Sequence, residues 1–340
     1  MKVFIVSAVR TAIGKFLGSL SRVTPVELGV TVVRKVLSDT GIDPSSIDEL
    51  IVGNVLSAGQ RQGIARQIGI NSGLPDGVPA YGINMICGSG LKSIMQGYVD
   101  IISGQASVVL SGGTESMSQS GYLVPGLSMR EGVKMGDFSF IDTMVYDGLT
   151  DAFSMNHMGI TAENVAERYN ISRSEQDAFA FASQSKAIKA IDGGLFKNEI
   201  AAVTIPNKKG DIVFDTDEYP NRSTNIDKLS GLRPAFKKDG SVTAGNSSGI
   251  NDGSSFVLLA SEESVRVHGL TPLCEIIGIG QAGVSPDVMG IGPVPAIKKA
   301  LAMSGLSLTD IDVLELNEAF AAQSLGVMKL LSEEHSVDID

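Results

Sequence analysis

The chain has 340 residues, of which 43% are hydrophobic and 19% charged, a balance typical of globular rather than disordered proteins. A net charge of −11 without a long Lys/Arg run argues against nucleic-acid binding, and no apolar segment approaches the ~18 residues of a membrane span. Two cysteines cannot form a disulfide framework, which predicts a reducing, cytoplasmic location; three dispersed histidines also lack metal-ligand spacing.

The first third of the chain alternates strand-like and helix-like segments. "KVFIVSAVR", "IDELIVGNV", "VPAYGINMI" and "ASVVLSGGTES" are predicted strands, and "GSGLKSIMQGYVDIISG" is a predicted helix. A further predicted helix, "TPVELGVTVVRKVLSDTG", has Thr24 as N-cap, Pro25 in its first position and Gly41 just past its end. The alternation predicts an α/β fold with a mainly parallel sheet covered by helices.

Residues 118–245 have a different pattern and are predicted to be an inserted loop region that carries binding surface. Met- and Gly-rich loops lead into two helical patterns, "HMGITAENVAERYN" and "SRSEQDAFAFASQSKAIKAI". The methionines between residues 117 and 158 are predicted to serve packing rather than chemistry.

One segment of the chain occurs twice. "VRKVLSDTGIDPSSIDELIVGN" (33–54) aligns without gaps on "IKKALAMSGLSLTDIDVLELNE" (297–318), at a constant offset of 264. Chance similarity of two helix–turn–strand units is the alternative, but the ungapped match favours two duplicated α/β halves. Adding 264 to residues 79–116 gives 343–380, so the sequence predicts a second half that is incomplete, with an apolar sheet edge. We therefore expect a fragment of a longer chain.

Cys87, in "NMICGSGLKS", lies where a strand meets a Gly-Ser-Gly turn that opens a helix. A helix N-terminus stabilises a thiolate, so the sequence predicts a lowered thiol pKa, and a backbone N–H at this turn is suited to bind an oxyanion. This is the chemistry of acyl transfer through a thioester, with a buried structural cysteine as the alternative. Cys274, within "PLCEIIGIG", is predicted to be a core residue.

Many ordered motifs resemble the thiolases over residues 1–330. They are "NMICGSGLKS", "GGTESMS", "KMGD", "DGLTDAF", "HMGITAENVAERY", "SRSEQDAFA", "TAGNSSGINDGS", "MGIGPVPA" and "LNEAFAAQ". The resemblance is greatest to the biosynthetic, acetoacetyl-CoA type. It implies a thiolase-like α/β fold: two duplicated α/β halves in a layered arrangement with an inserted loop domain. The predicted domains are 1–117 plus 246–267 (N-terminal half), 118–245 (loop domain) and 268–340 (incomplete C-terminal half).

The resemblance also assigns roles to residues. Cys87 would be the acetylated nucleophile, and Asn317, in "NEAF", would hold a water that helps bind the thioester oxygen. His157 and Met158, in "HMG", would line the pantetheine and acyl end of the pocket, a pair typical of short acyl substrates. The remaining predicted coenzyme A contacts are Leu149, Phe236, Ala244, Ser248, Ala319 and Phe320. The alternatives are that His157 caps a helix or lies in the core and that Ser248 is a helix cap.

The sequence departs from the family pattern at two places. Where the family often has Arg two residues after the Tyr of "DEY", this chain has Asn221 followed by Arg222, which puts a phosphate contact there in doubt. The "GHP" stretch, whose His activates the nucleophile, and the "CxGGG"-type stretch, whose Cys is the acid/base, are both absent from these residues. His335 is interpreted instead as an exposed linker residue and His268 as part of a surface turn.

The basic residues of the middle region allow two interpretations. They could attract the phosphates of coenzyme A, or they could form an ordinary solvated surface, which is at least as consistent with the sequence. These residues are Arg222, Lys228, Arg233, Lys237 and Lys238.

The function implied by the resemblance is condensation of two acetyl-CoA to acetoacetyl-CoA plus coenzyme A, reversibly, in a homotetramer. Coenzyme A thioesters are then substrates, and no cofactor is expected. Two alternatives remain open: a catalytically incomplete subunit that binds coenzyme A or forms oligomers, and a 3-ketoacyl-CoA thiolase of broader chain length.

Overall fold

The structure, a computed structural model, describes residues 1–339. Within them the chain divides into two compact units. The first unit comprises Met1–Gly148, Leu195–Tyr219 and Ile250–Ile276, and the second comprises Leu149–Gly194, Pro220–Gly249 and the residues from Ile277 onward. The domain boundaries expected from the motifs stay a prediction.

The strands in the described residues all lie in the first unit. They are β1 (Val3–Thr11), β2 (Gly14–Lys15), β3 (Glu49–Gly53), β4 (Ala80–Ile83), β5 (Val108–Ser116), β6 (Tyr122–Leu123), β7 (Ile141–Asp142), β8 (Ile200–Ala201), β9 (Val203–Ile205), β10 (Ile212–Phe214), β11 (Asn251–Ser261) and β12 (Cys274–Glu275).

The α-helices are distributed over both units. They are α1 (Pro25–Thr40), α2 (Ile64–Ser72), α3 (Ser89–Ile102), α4 (Gly126–Glu131), α5 (Met158–Arg168), α6 (Arg173–Asp192), α7 (Ile226–Ser230), α8 (Glu262–Val267), α9 (Pro293–Ser304) and α10 (Ala321–His335). None of the helices within residues 1–339 is long and apolar enough to cross a membrane.

Helix α1 confirms the local signals of the sequence. The Thr24 side chain accepts from the backbone N–H of Glu27, whose carboxylate in turn accepts from the backbone N–H of Thr24, a capping box. The helix ends at Gly41, whose φ of +63° places it in the left-handed region that glycine tolerates best. Both ends of α1 are therefore determined by residues within one turn of them.

The main sheet is mixed, so the prediction of a mainly parallel sheet is wrong. Its strand order is β12-β1-β11-β5-β3-β4, with β2 paired to β11 and β8 to β1. Strand β3 is parallel to β4 and β5, but β11 lies antiparallel between β1 and β5. Strand β11 was not predicted from the sequence: its partners lie more than a hundred residues earlier, and its first residues, "NDGSS", are polar.

Helices cover both faces of this sheet. Side chains of α1 and α2 share an apolar core with alternate residues of the central strands, among them Leu50, Leu110 and Leu258. The neighbouring positions point to the opposite face, where a Cβ on Gly97 of α3 would lie within 3.0 Å of Val109 and Leu259 side-chain atoms. The first unit therefore has a helix–sheet–helix layering.

The internal repeat is visible in the backbone. Helix α9 ends at Ser304 and is followed by Gly305 with φ +73°, as α1 ends at Thr40 and is followed by Gly41. A single 3-10 turn follows in both copies, at Pro44–Ser46 and Leu308–Asp310, again 264 residues apart. The duplicated helix–glycine–turn is confirmed.

The strand of the second copy behaves differently. Residues 313–317, the counterparts of β3, form no sheet ladder within the described residues, and Val313 is 82% exposed. Strand β3 is held between β4 and β5. Within the described residues the repeat therefore preserves the helix, the glycine and the turn but not the strand pairing.

The second unit is built from helices around its own core. Buried residues of α5 and α10 pack with neighbouring loop residues, among them Val165, Val242, Val288 and Ala322. A Cβ on Gly326 of α10 would lie 2.7 Å from a Val165 methyl group, so this glycine permits the close approach of the two helices.

Candidate active site

Cys87 lies between the end of β4 and the start of α3, at the carboxyl ends of the parallel strands. The helix begins directly against the sheet: a Cβ on Gly53, the last residue of β3, would lie 2.6 Å from the carbonyl carbon of Ser89. A glycine is therefore required at the end of β3 for the helix to begin here. Ligand sites of open α/β sheets commonly lie at this edge.

The turn that carries Cys87 is strained and held by hydrogen bonds. Ile86 has a φ of +48°, a conformation that a β-branched residue rarely adopts. Its N–H donates to Asn84 Oδ1 over 3.0 Å, and its carbonyl accepts from the Ser89 hydroxyl over 2.6 Å. The same hydroxyl accepts from the N–H of Met85 over 2.8 Å. Every backbone polar group of Ile86 is thus occupied.

The prediction of a lowered thiol pKa at Cys87 is wrong for this chain. Cys87 is exposed as a residue, but desolvation by the atoms around its sulfur raises the thiol pKa. A hydrogen bond from its own backbone N–H acts in the opposite direction and is the smaller effect. The thiol therefore needs a base to become a thiolate near neutral pH.

The half-buried carboxylate of Glu115 anchors the loop that follows β3. Glu115 Oε2 accepts from the N–H of Val55 over 2.8 Å, and Glu115 Oε1 accepts from the side-chain amide of Asn54 over 3.0 Å. Desolvation raises the pKa of Glu115, and these hydrogen bonds oppose the rise. Beside the loop lies a cavity of about 310 Å³, lined by Asn54, Ser57, Gln60, Arg61, Gly63, Ile64, Gly82, Ile83 and Asn84.

In the second unit, three predicted binding residues meet at the start of α5. Met158 N–H donates to the carbonyl of Leu149 over 2.9 Å, and Thr150 forms a β-bridge with His157. His157 caps the helix, because its Nδ1 accepts from the N–H of Gly159 over 3.0 Å. The capping alternative for this histidine is thus correct, and it leaves Nε2 as the nitrogen that carries the proton.

The His157 ring also stacks on Phe236, with centroids 4.7 Å apart and planes inclined by 19°. Phe236 in turn meets Phe320 edge to face, at a centroid distance of 6.1 Å. Desolvation lowers the pKa of His157 below its ordinary value of 6.5, so the imidazole is neutral at pH 7. The three rings form an apolar surface with one polar tip.

Two loops of the second unit join at Ser248 and Ala319. Ser248 N–H donates to the carbonyl of Ala319 over 2.9 Å, and Ser247 bridges Phe320. Ser248 caps no helix in the described residues. Ser248 and Ala244 are both exposed. Asn317 is an exposed loop residue two positions before Ala319.

Comparisons with known proteins decide the family. The model of the thiolase N-terminal domain matches residues 3–263, and that of the thiolase C-terminal domain matches residues 270–339. This chain belongs to the thiolase family. Its motifs therefore correctly indicated the fold.

Similar proteins cover nearly the whole thiolase chain. It is 52% identical over 340 residues to a probable acetyl-CoA acyltransferase of Staphylococcus aureus (strain COL), spanning 99% of this chain and 86% of the relative. It is 52% identical over 326 residues to an acetyl-CoA acetyltransferase of Pseudomonas aeruginosa, spanning 96% and 82%.

Solved structures agree with this assignment. The acetyl-CoA acetyltransferase of Bacillus anthracis has a TM-score of 0.94 at 43% identity, covering 99% of this chain and 84% of that one. That of Syntrophomonas wolfei has a TM-score of 0.96 at 40% identity, covering 100% and 84%.

Two buried acids that position the thiolase loops were missed by sequence reasoning. Glu163, 3% exposed, accepts from the N–H groups of Ser241 and Val242 at 2.8–2.9 Å. Asp177, 2% exposed, accepts from the Asn246 amide over 2.9 Å. Glu163 could have been found from the sequence, because it lies on the apolar face of α5, among Ala162, Val165 and Ala166.

The basic residues of the middle region are partly committed to ion pairs. Arg222 binds both carboxylate oxygens of Asp192, at 2.7 and 3.0 Å, and Lys237 pairs with Glu167 at 2.7 Å. Lys228 donates to a backbone carbonyl. For these three residues the solvated-surface interpretation is the better one.

The "DEY" motif has a structural role in the first unit. The Arg10 guanidinium binds both oxygens of Asp217, at 2.7 and 3.0 Å, and Asp217 also accepts from the N–H of Ile13. Glu218 accepts from the N–H of Lys15, the last residue of β2, and from the N–H of Ser19 in the loop that follows. The motif therefore holds the segment that follows β1 in place through hydrogen bonds.

Three predictions about single residues are corrected by the structure. Cys274 is exposed rather than in the core, because β12 is an edge strand paired only with β1. His335 is not an exposed linker: it is the half-buried last residue of α10. The methionines do not all pack, since Met135 is 94% exposed. His268 lies on the surface, as predicted.

Proposed function

We propose that this thiolase transfers an acetyl group through a thioester on Cys87 and condenses two acetyl-CoA to acetoacetyl-CoA plus coenzyme A, reversibly. The observation that carries the proposal is the position of Cys87. Its thiol follows a strained residue, at the start of a helix and at the carboxyl edge of the sheet, in a chain matched by both thiolase domains. The names of the relatives support acetyl-CoA as the donor.

The first half-reaction moves one acetyl group. The Cys87 sulfur attacks the thioester carbon of acetyl-CoA, the bond from that carbon to the coenzyme A sulfur breaks, and coenzyme A leaves as the thiol with the proton that Cys87 gives up. The raised pKa of Cys87 means that removal of this proton needs a base. Asn317 is proposed to hold the water that helps bind the thioester oxygen.

In the second half-reaction the methyl carbon of another acetyl-CoA loses a proton to a base and attacks the acetyl carbonyl carbon on Cys87. The bond from that carbon to the Cys87 sulfur breaks, acetoacetyl-CoA leaves, and the Cys87 thiolate takes up a proton. General base assistance contributes ~10²–10⁴-fold to such a step. The thiolase "GHP" and "CxGGG" stretches, which supply this chemistry, are absent from the 340 residues.

The aromatic surface of the second unit supports a short acyl substrate. His157, Phe236 and Phe320 present ring faces and edges that suit pantetheine, and Met158 and Leu149 are joined to the same turn. A neutral His157 with its proton on Nε2 can donate one hydrogen bond to a carbonyl oxygen. Ala244, Ser248 and Ala319 are proposed to contact the rest of coenzyme A.

The test is acetylation of the intact chain by acetyl-CoA, followed by mass spectrometry. We expect one acetyl group per chain, on the peptide that contains Cys87. Cys87→Ala should abolish it, and the matched variant Cys274→Ala, at the other exposed thiol, should retain it. Equal labelling of both cysteines would instead indicate non-specific thiol chemistry and contradict the proposal.

A second measurement separates the alternatives. Coenzyme A binding by calorimetry without any acetylation would favour a non-catalytic binding subunit. Thiolysis of 3-ketoacyl-CoA substrates of increasing length should be fastest for acetoacetyl-CoA, and a preference for longer chains would favour a thiolase of broader chain length.

We also propose a homotetramer that uses coenzyme A thioesters as substrates without a resident cofactor. Residues 117–148 carry several exposed apolar side chains, such as Leu127, Met135 and Phe140, and these support self-association. Sedimentation equilibrium tests the oligomeric state. Cytoplasmic localisation stays a prediction from cysteine usage.

A further inference from the structure

Asn84 is exposed, yet both the oxygen and the nitrogen of its side-chain amide form hydrogen bonds, one within the Cys87 turn and one to a neighbouring loop. Its Oδ1 accepts from the N–H of Ile86 over 3.0 Å, and its Nδ2 donates to the carbonyl of Val55 over 3.3 Å. The side chain thus links the turn to the loop that follows β3.

Hydrogen bonds to β4 and β5 hold that loop in place. Glu115 accepts from the N–H of Val55 over 2.8 Å and from that of Leu56 over 3.4 Å, and the N–H of Asn54 donates to the carbonyl of Ile83 over 3.1 Å. The loop is therefore anchored to β5 and to the end of β4, which makes Val55 a stationary partner for Asn84.

The strain at Ile86 explains what this linkage does. A β-branched residue leaves the left-handed region unless surrounding interactions hold it there. At Ile86 the holding groups from side chains are Asn84 Oδ1 and the Ser89 hydroxyl. The peptide that Ile86 orients carries the N–H of Cys87, so a change at Ile86 reorients the nucleophile and its own backbone donor.

We infer that Asn84 is a positioning residue for Cys87: it holds Ile86 in its strained conformation and so keeps the thiol in its desolvated, acyl-accepting orientation. The part of this inference that concerns acyl transfer rests on the proposed function. Asn84 contacts no reacting atom and acts through the backbone of Ile86.

The experiment uses Cys274→Ser chains, in which Cys87 is the single thiol. The rate of alkylation by iodoacetamide is measured across the pH range to obtain the midpoint of thiol ionisation. Asn84→Ala should lower this midpoint by at least half a pH unit, because the relaxed turn returns the sulfur to water. Asn198→Ala, at an exposed asparagine of the same unit, should leave it unchanged.

Two further variants test the hydrogen bonds. Asn84→Asp keeps an acceptor for the Ile86 N–H, so its midpoint should not fall below that of the parent. Ser89→Ala removes the other side-chain restraint on Ile86 and should lower the midpoint as Asn84→Ala does, which provides a second test if one variant fails to fold. A midpoint in Asn84→Ala equal to that of the parent would overturn the inference.

Acetylation by acetyl-CoA supplies the readout for acyl transfer. Asn84→Ala should be acetylated at least tenfold more slowly than the parent, although its thiol alkylates more readily at neutral pH. A rate within twofold of the parent would overturn the positioning role. A parent chain that is not acetylated would refute the proposed function alone, and the shift in the alkylation midpoint would still decide the role of Asn84.

Discussion

Replacing Gly159 with alanine is expected to destabilise the second unit, although the same change near the start of a helix usually stabilises. Gly159 is the second residue of α5, and a Cβ there would lie 2.2–2.4 Å from three ring carbons of Phe236. The ring cannot retreat without leaving its stack on His157, 4.7 Å away. Phe236 must therefore move as a whole.

The magnitude follows from two opposing effects. Alanine in place of glycine in a helix is worth up to about 0.5–1 kcal/mol. Overpacking a filled site costs about 1–3 kcal/mol. The clash is the larger effect, so Gly159→Ala should lower the free energy of unfolding by about 1–2 kcal/mol.

The assay is urea unfolding, with Gly90→Ala as the matched control. Gly90 is also the second residue of its helix, α3, but a Cβ there meets no atom within 4 Å. The control should range from unchanged to about 1 kcal/mol more stable.

An NMR titration of His157 reports the local effect. Because burial lowers the pKa of His157, displacement of Phe236 should raise this pKa towards 6.5. A Gly159→Ala chain that is as stable as the parent, with an unchanged His157 pKa, would refute the reasoning.

Three other predictions concern stability. Glu49→Gln should stabilise the fold above neutral pH by about 1–2 kcal/mol, allowing for solvent screening at this half-buried site. Burial, and next the Asp100 carboxylate, raises the pKa of Glu49 from 4.5 to about 7, so the parent loses stability as the pH rises from 4.5 to 7; urea midpoints at pH 5 and 8 should differ less in the variant, and an equal difference would contradict this. Glu163→Ala should cost about 2–4 kcal/mol in urea unfolding, because the buried N–H of Val242 loses its acceptor; a cost as small as that of the exposed control Glu333→Ala would contradict it. Gly41→Ala and Gly305→Ala should each cost about 1 kcal/mol, since both have positive φ in open space; clearly unequal thermal shifts would show that the two turns are not energetically equivalent.

The predictions from the sequence succeeded where the determining groups lie close together in the chain. The Thr24 cap, its Glu27 partner and the Gly41 stop act within single helical turns, and the same helix-end chemistry recurs at Gly305. The order of the motifs likewise identified the thiolase family.

The errors arose where distant segments decide the outcome. Strand β11 pairs with β5 through residues such as Phe256 and Gly112, so no local pattern could show that it makes the sheet mixed. Cys274 has an apolar sequence context, but its burial depends on whether its strand gains a second neighbour, and it has only β1. A helix start next to Cys87 suggested a lowered pKa, whereas desolvation by surrounding segments outweighs it.

The sequence by itself therefore determined the ends of α1, the repeat and the family. Only the tertiary structure decided the strained φ of Ile86, its support by Asn84 from a loop that Glu115 anchors 60 residues away, and the stacking of Phe236 on His157. The physical reason is range: caps and turns are completed by groups within a few residues, whereas desolvation, strand order and strain depend on which remote atoms exclude water and supply hydrogen bonds.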